Sequence, residues 1–127
     1  MTKGTGSAHL ARARRFHRSA KLMYEMGDFG SVASISYLSM LHCANAFLSR
    51  KGIRPSTHGG LHMMFREHLV KTGEVDVAFA RALEEGYRLG SRGELDLANP
   101  VGKEEAAMAI ETAERFIAIT MEKTSLD

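Results

Sequence analysis

The segment that follows Asp28 constrains the fold more than any other part of the chain. From Phe29 to Ser49 it contains no charged residue, and apolar or small residues occupy almost every helical position. A helix hydrophobic on every side needs neighbours all round it. It therefore predicts a central helix inside a bundle, and it makes the polar residues it tolerates worth explaining. Tyr37 and His42 stand five residues apart on it. Ser31, Ser34, His42, Asn45 and Ser49 recur at spacings that return to one face, interrupted at Leu38. That polar seam is either satisfied by a neighbouring helix or a second copy of the chain, or it floors a cleft open to a ligand. Tyr37 lies about 140° round the helix from His42, so the two can flank a cleft but not share one contact.

Periodicity and punctuation give four further helices and no strand. Ser7 caps a first helix to about Met26, with Leu10, Ala13, Phe16, Ala20 and Met23 inward and Gly27 past its end. Asp28 caps the central helix, which stops at Gly52. Ile53, Arg54 and Pro55 turn the chain, and Ser56 or Thr57 caps a third helix to about Thr72, striped by Leu61, Met64, Phe65 and Leu69 and closed by Gly73. A fourth runs from about Val75 to near Arg92, weakened or kinked by Gly86, Gly90 and Gly93. After the Asn99-Pro100 turn a fifth runs from about Lys103 to Met121, with Ala107, Ile110, Ala113 or Glu114, and Ile117 inward. Short links force antiparallel neighbours, so the expected fold is all-α, an up-and-down bundle of four to five helices. The 127 residues make one domain, 1–127, frayed at 1–6 and 124–127.

The run Ser36-Tyr37-Leu38-Ser39-Met40-Leu41-His42 resembles the Ala/Ser-Tyr-Tyr-Ala-Met-Phe-His run of the HEPN domains of bacteria and archaea, particularly the small stand-alone type encoded beside a minimal nucleotidyltransferase. Ser56-Thr57-His58 is similar to that family's Ser-His at the start of its third helix, Lys71-Thr72-Gly73 to the end of that helix, and residues 103–119 to its last helix. The resemblance covers about residues 8–120. It implies a HEPN-like binding module, a homodimer that engages a nucleotide, a nucleic-acid segment or a partner nucleotidyltransferase, as part of a toxin–antitoxin or defence system. It also makes His42 and His58 candidates for one shared polar site.

The other reading it implies is a metal-independent ribonuclease toxin. Members that cut RNA carry an Arg, four to six intervening residues, then a His on the fourth helix or just beyond. Here that region reads Tyr87-Arg88-Leu89-Gly90-Ser91-Arg92-Gly93-Glu94-Leu95-Asp96, and no His follows His68. In stand-alone relatives the region ends in an Asp-Tyr pair, where this chain has Glu94-Leu95. Arg12 to His17 has the spacing, but on the first helix, where chance explains it. Arg88 and Arg92 remain, four apart on one face, able to hold a phosphate or to pair with Glu84 and Glu85. A ribonuclease would have to use them with a non-standard His.

The ligand-binding candidates are accordingly Tyr37, His42, His58, Arg88 and Arg92, with no catalytic residue assigned. For Tyr37 the competing reading is packing, its hydroxyl bonded to a neighbouring segment. His58 and His62, four apart, have a spacing that could hold a metal, but they lack the Glu of a zinc-protease helix and any cysteine pair. No metal or cofactor is expected, and no Glu-x-x-His pair or phosphate-binding Gly loop occurs.

A net charge of +2 conceals a dipolar chain. Residues 1–72 hold 11 Lys and Arg against 3 acids, and residues 73–127 hold 6 against 12. Arg14, Arg18 and Lys21 share one face of the first helix with Arg15 beside them. They are phosphate-contact candidates, or a solvated face paired with the acidic helices of the same chain or of a second copy. The longest apolar run is too short and too interrupted to span a bilayer, and residues 1–18 lack the apolar core of a secretory signal. The single cysteine, Cys43, excludes an internal disulfide and suits a reducing, cytoplasmic location.

Overall fold

The structure, a computed structural model, describes residues 2–126. The described elements are all helical: α1 (Thr2–Glu25), α2 (Phe29–Ser49), α3 (His58–Phe65) continued by a π-helical turn (Arg66–Val70), α4 (Val77–Leu95) and α5 (Lys103–Thr124). The protein is thus an all-α, up-and-down bundle. No residue of α2 between Ser31 and Ser49 is fully exposed, because α1, α4 and α5 pack around it and α3 covers the remaining side. Asp28 caps α2, its carboxylate accepting the Ser31 N–H, and Thr57 caps α3, its hydroxyl accepting the Gly60 N–H at 2.9 Å. Gly52 and Gly73, at φ +75° and +82°, take the left-handed conformation that ends the second and third helical runs.

Aromatic rings tie the helices together. Phe47 of α2 meets Phe65 of α3 edge-on at 6.0 Å, Phe65 meets Phe116 of α5 at 5.8 Å, and Phe116 meets Phe79 of α4 at 5.3 Å. Phe47, Phe65 and Phe116 are buried, each contributing about 1.5–3 kcal/mol of apolar burial. Cys43 is also buried, and desolvation pushes its thiol up to about 12, so it packs rather than reacts.

Four sequence expectations are corrected. Helix α1 starts at Thr2, not at a Ser7 cap, because Gly6 is buried against the side chains of Leu126 and Ser49 and tertiary contact outweighs its weak helix propensity. Leu126 itself, in the tail expected to fray, is buried. The buried face of helix α5 is shifted in part from its expected phase: Ala113 and Ile117 are buried as expected and Ile110 is half-buried, but Ala107 is exposed and Ala106, Ala109, Phe116 and Thr120 are buried in addition. Phe116 is fully buried on this face against Phe65 and Phe79, and Thr120 can enter the core because its hydroxyl donates to the Phe116 carbonyl at 2.7 Å.

The fourth correction positions the site. Gly86, Gly90 and Gly93 do not break α4; they are its contact face against α2. A Cβ on Gly86 would strike the Met40 methyl, one on Gly90 would lie 3.3 Å from the Ser34 Cα, and one on Gly93 would collide with the Gly30 carbonyl. Missing side chains let the two backbones approach closely, which outweighs the propensity cost of three glycines. Helices α4 and α5 barely touch. Between them a mostly apolar groove of about 430 Å³ is lined by Met40, Leu89, Met108 and small residues, together with Glu85, Glu104 and Glu105.

Candidate functional site

Tyr37 leaves the middle of α2 toward α3 and α4, its ring lying along the Gly86–Gly90 face, where the nearest approach to an added Gly86 Cβ would be 3.4 Å. Only 4% of it is exposed. Its hydroxyl lies 2.8 Å from His58 Nδ1 and 3.0 Å from His62 Nε2. With a single proton, the hydroxyl can donate to one imidazole while accepting an N–H from the other. The capped start of α3 makes this possible, since positions four apart stack on one helix face. Burial raises the Tyr37 pKa above the ordinary phenol value, and the Tyr87 hydroxyl adds to the effect. Burial likewise lowers that of His62; Glu84 opposes the shift, whereas His58 and Arg88 reinforce it. His62 is therefore a neutral hydrogen-bonding group at pH 7.

Tyr87 of α4 completes the cluster. Its ring centroid lies 4.8 Å from His58, 5.5 Å from Tyr37 and 5.7 Å from His62. Beside the rings opens a cleft of about 190 Å³, lined also by Ser34 and Leu38 of α2 and by Gly90, Ser91 and Glu94 of α4. Tyr87, Gly90, Ser91 and Glu94 follow the spacing of a single helix face. Next to them on α4 is Arg88, 67% exposed and paired with Glu85 at 2.7 Å. Below, Arg66 on the π-helical turn holds Glu84 through two bonds of 2.6 and 2.8 Å, bracing α3 against α4.

The structure does not unite all the candidates. His42 faces α1, where its Nδ1 lies 2.9 Å from His9 Nδ1 and Phe16 stacks on it at 5.7 Å. Burial, then His9, then Arg12 hold its pKa at about 4. One Nδ1 donates and the other accepts, and because burial also lowers the pKa of His9, both rings are neutral imidazoles at pH 7. His42 and His58 therefore form two clusters on different sides of α2, not the one shared site expected from the resemblance. Arg92 is also apart from Arg88. It donates to the carbonyls of Asn99 at 3.1 Å and Pro100 at 3.5 Å and pairs with Glu105, which fixes the α4–α5 corner. Glu84, expected as an Arg88 or Arg92 partner, belongs to Arg66.

On α1, Arg14 donates to the Met121 sulfur at 2.8 Å, whereas Arg18 and Lys21 are exposed. None of the three makes an ion pair with an acidic residue among the described residues. Arg12 lies over the Phe16 ring at 5.8 Å while His17 is buried, so the spacing between Arg12 and His17 gathers no common site. The polar seam is partly internal: Ser49 donates to the Ala46 carbonyl of its own helix. Ser39, outside the seam, crosses to the Ala13 carbonyl at 2.8 Å. Among the described residues no group of three His, Cys, Asp or Glu side chains could hold a metal, and no helix is long and apolar enough to cross a membrane.

Sequence reasoning missed Tyr87 and His9 and weighed His62 only as a metal ligand. The Tyr87–Glu94 spacing was the signal available for the first. His9 carried none, because its partner lies 33 positions away.

The sequence matches the HEPN domain family over residues 7–124. Among curated proteins it is similar to two from Methanocaldococcus jannaschii named as candidate toxins. MJ0142 is 27% identical over 108 residues, covering 85% of this chain and 74% of that protein, and MJ0605 is 27% identical over 99 residues, covering 78% and 73%. It is also similar to the UPF0332 protein PH1297 of Pyrococcus horikoshii, 40% identical over 65 residues, or 51% of this chain and 46% of that one. Because the family match extends from within α1 to the last residue of α5, the chain belongs to the HEPN domain family.

Proposed function

We propose that this chain is a HEPN binding module that holds a nucleotide or RNA segment at the junction of α2, α3 and α4. In this reading it works as a homodimer beside a small nucleotidyltransferase in a toxin–antitoxin or defence system. The observation that carries the reading is the Tyr37–His58–His62–Tyr87 cluster, bordered by a cleft and by the exposed cation Arg88. Single-stranded RNA and nucleotides are recognised by stacking on aromatic and imidazole rings and by Arg contacts to phosphate. An exposed Arg88–Glu85 pair contributes little by itself, so Arg88 can exchange its partner for a phosphate at small cost. Names given to the Methanocaldococcus relatives agree with a toxin setting.

One observation favours the ribonuclease reading: two imidazoles joined through a hydroxyl, with Arg88 near enough to His62 to oppose its protonation. Proton transfer and phosphate stabilisation need such groups. Weighing against it, the Tyr37 hydroxyl already engages both rings, and burial disfavours the charged His62 that a general acid requires. Incubating purified protein with labelled RNA, in parallel with a binding titration, separates the two. We expect salt-sensitive binding that weakens several-fold in Arg88→Ala, and no cleavage. Cleavage by the wild type that disappears in both His58→Ala and His62→Ala would establish the ribonuclease instead.

A further inference from the structure

The cleft beside the rings differs in chemistry from the surface around Arg88. Its lining brings three polar side chains, Ser34, Ser91 and Glu94, to the edge of Tyr37, His58 and Tyr87. None of those three makes a side-chain hydrogen bond or ion pair with another described residue. At about 190 Å³ the cleft is smaller than the roughly 300–1,000 Å³ of pockets that enclose a drug-sized ligand. It suits one flat ring system rather than a whole nucleotide.

Glu94 decides which part of a nucleotide enters. A carboxylate only accepts hydrogen bonds and repels phosphate, so the phosphate stays outside, on the side of Arg88. Glu94 lies six positions beyond Arg88 on the helix, a rise of about 9 Å, which a sugar and base can bridge. Two carboxylate oxygens are matched by two adjacent N–H donors. Guanine presents them as N1–H and the 2-amino group. Adenine and cytosine each place a ring-nitrogen lone pair beside their amino group, and uracil flanks its one N–H with carbonyl oxygens; both arrangements oppose a carboxylate. Ser34 and Ser91 hydroxyls can donate to the guanine carbonyl or ring nitrogens, and the aromatic edge supplies stacking area.

Resting on the nucleotide-binding reading above, we infer that the Ser34–Ser91–Glu94 cleft is a base-selective subsite for guanine, with Glu94 as the discriminating residue and the phosphate held outside it by Arg88. The test is calorimetric titration of the full chain with GMP, AMP, CMP and UMP at low salt, repeated with Glu94→Gln and Arg88→Ala. Expected is binding of GMP about tenfold or more tighter than the other three, since two charge-assisted bonds are at stake. Glu94→Gln, which replaces one acceptor by a donor, should bring GMP to the level of AMP. Arg88→Ala should weaken all four nucleotides by a similar factor. Equal affinity for the four bases in the wild type, or a GMP preference that survives in Glu94→Gln, would overturn the guanine assignment while leaving a nucleotide site. Binding of none of the four would remove that site and the subsite with it. Urea unfolding of Glu94→Gln, on an exposed position near the end of α4, checks that a lost preference is not lost folding.

Discussion

Tyr37 has one hydroxyl proton and two imidazole neighbours, so replacing it by Phe strands both. The ring would still fill its place along the glycine face of α4. Tyr37→Phe should therefore cost about 1–3 kcal/mol in urea unfolding, at the lower end because His58 is exposed and His62 only half-buried. His42 offers a pH test with a definite sign. Its folded-state pKa of about 4 lies below the ordinary 6.5, so between those values the unfolded chain binds more protons. Its neutral state thus contributes stability that is fully present above about pH 6.5 and is lost as pH falls toward 4. His42→Gln should flatten the stability profile across that window, and the His42 ring resonances should titrate near pH 4 in NMR. Both residues were legible in the sequence as polar intruders in an apolar helix. Their partners were not, because periodicity reports which face a residue shares and says nothing of what packs against that face from 20 or 30 residues away.

At the scale of elements, helix identity and the two N-caps could be read from periodicity and punctuation, since both are local. What could not be read was set by long-range contact. The glycines of α4 read locally as weaknesses, yet Gly93 and Gly30 hold α4 and α2 backbone to backbone, each leaving no room for a Cβ on the other. Gly93→Ala should lower stability by about 1–3 kcal/mol through overpacking. Gly59→Ala on α3, where a Cβ would meet nothing within 4 Å, should be neutral or raise it by up to about 1 kcal/mol. The π-helical turn that presents Arg66 to Glu84 had no sequence signature either. Arg92 makes the same point, for its spacing from Arg88 suggested a joint phosphate site while the structure uses it to hold the α4–α5 corner. Arg92→Ala should cost roughly 1–2 kcal/mol of stability and leave nucleotide affinity nearly unchanged, the reverse of Arg88→Ala. Thermal unfolding and calorimetry on the two variants separate these roles.

For the whole molecule, the dipolar charge remains after folding. Lys51–Glu74 and Arg66–Glu84 join the basic first part of the chain to its acidic second part, but Arg18 and Lys21 on α1 and Glu104 and Glu114 on α5 stay exposed and outside the ion pairs among the described residues. A two-fold contact in which the basic α1 of one copy meets the acidic α5 of the other would satisfy both surfaces twice over, because each contact in such an arrangement occurs in duplicate. Charges that remain partly solvated at an interface are screened over about 10 Å at 0.1 M salt and over about 3 Å at 1 M, so the association should weaken as salt rises. Light scattering on the free protein at micromolar concentration is expected to report a dimer at low salt that shifts toward monomer as salt approaches 1 M. Double reversal at Arg18→Glu and Lys21→Glu should produce a monomer even at low salt, since like charges would then face each other across both halves. A monomer at low salt in the wild type would show instead that the exposed basic face of α1 is left for an anionic partner such as RNA, and a dimer indifferent to salt would place its contact on the apolar groove between α4 and α5.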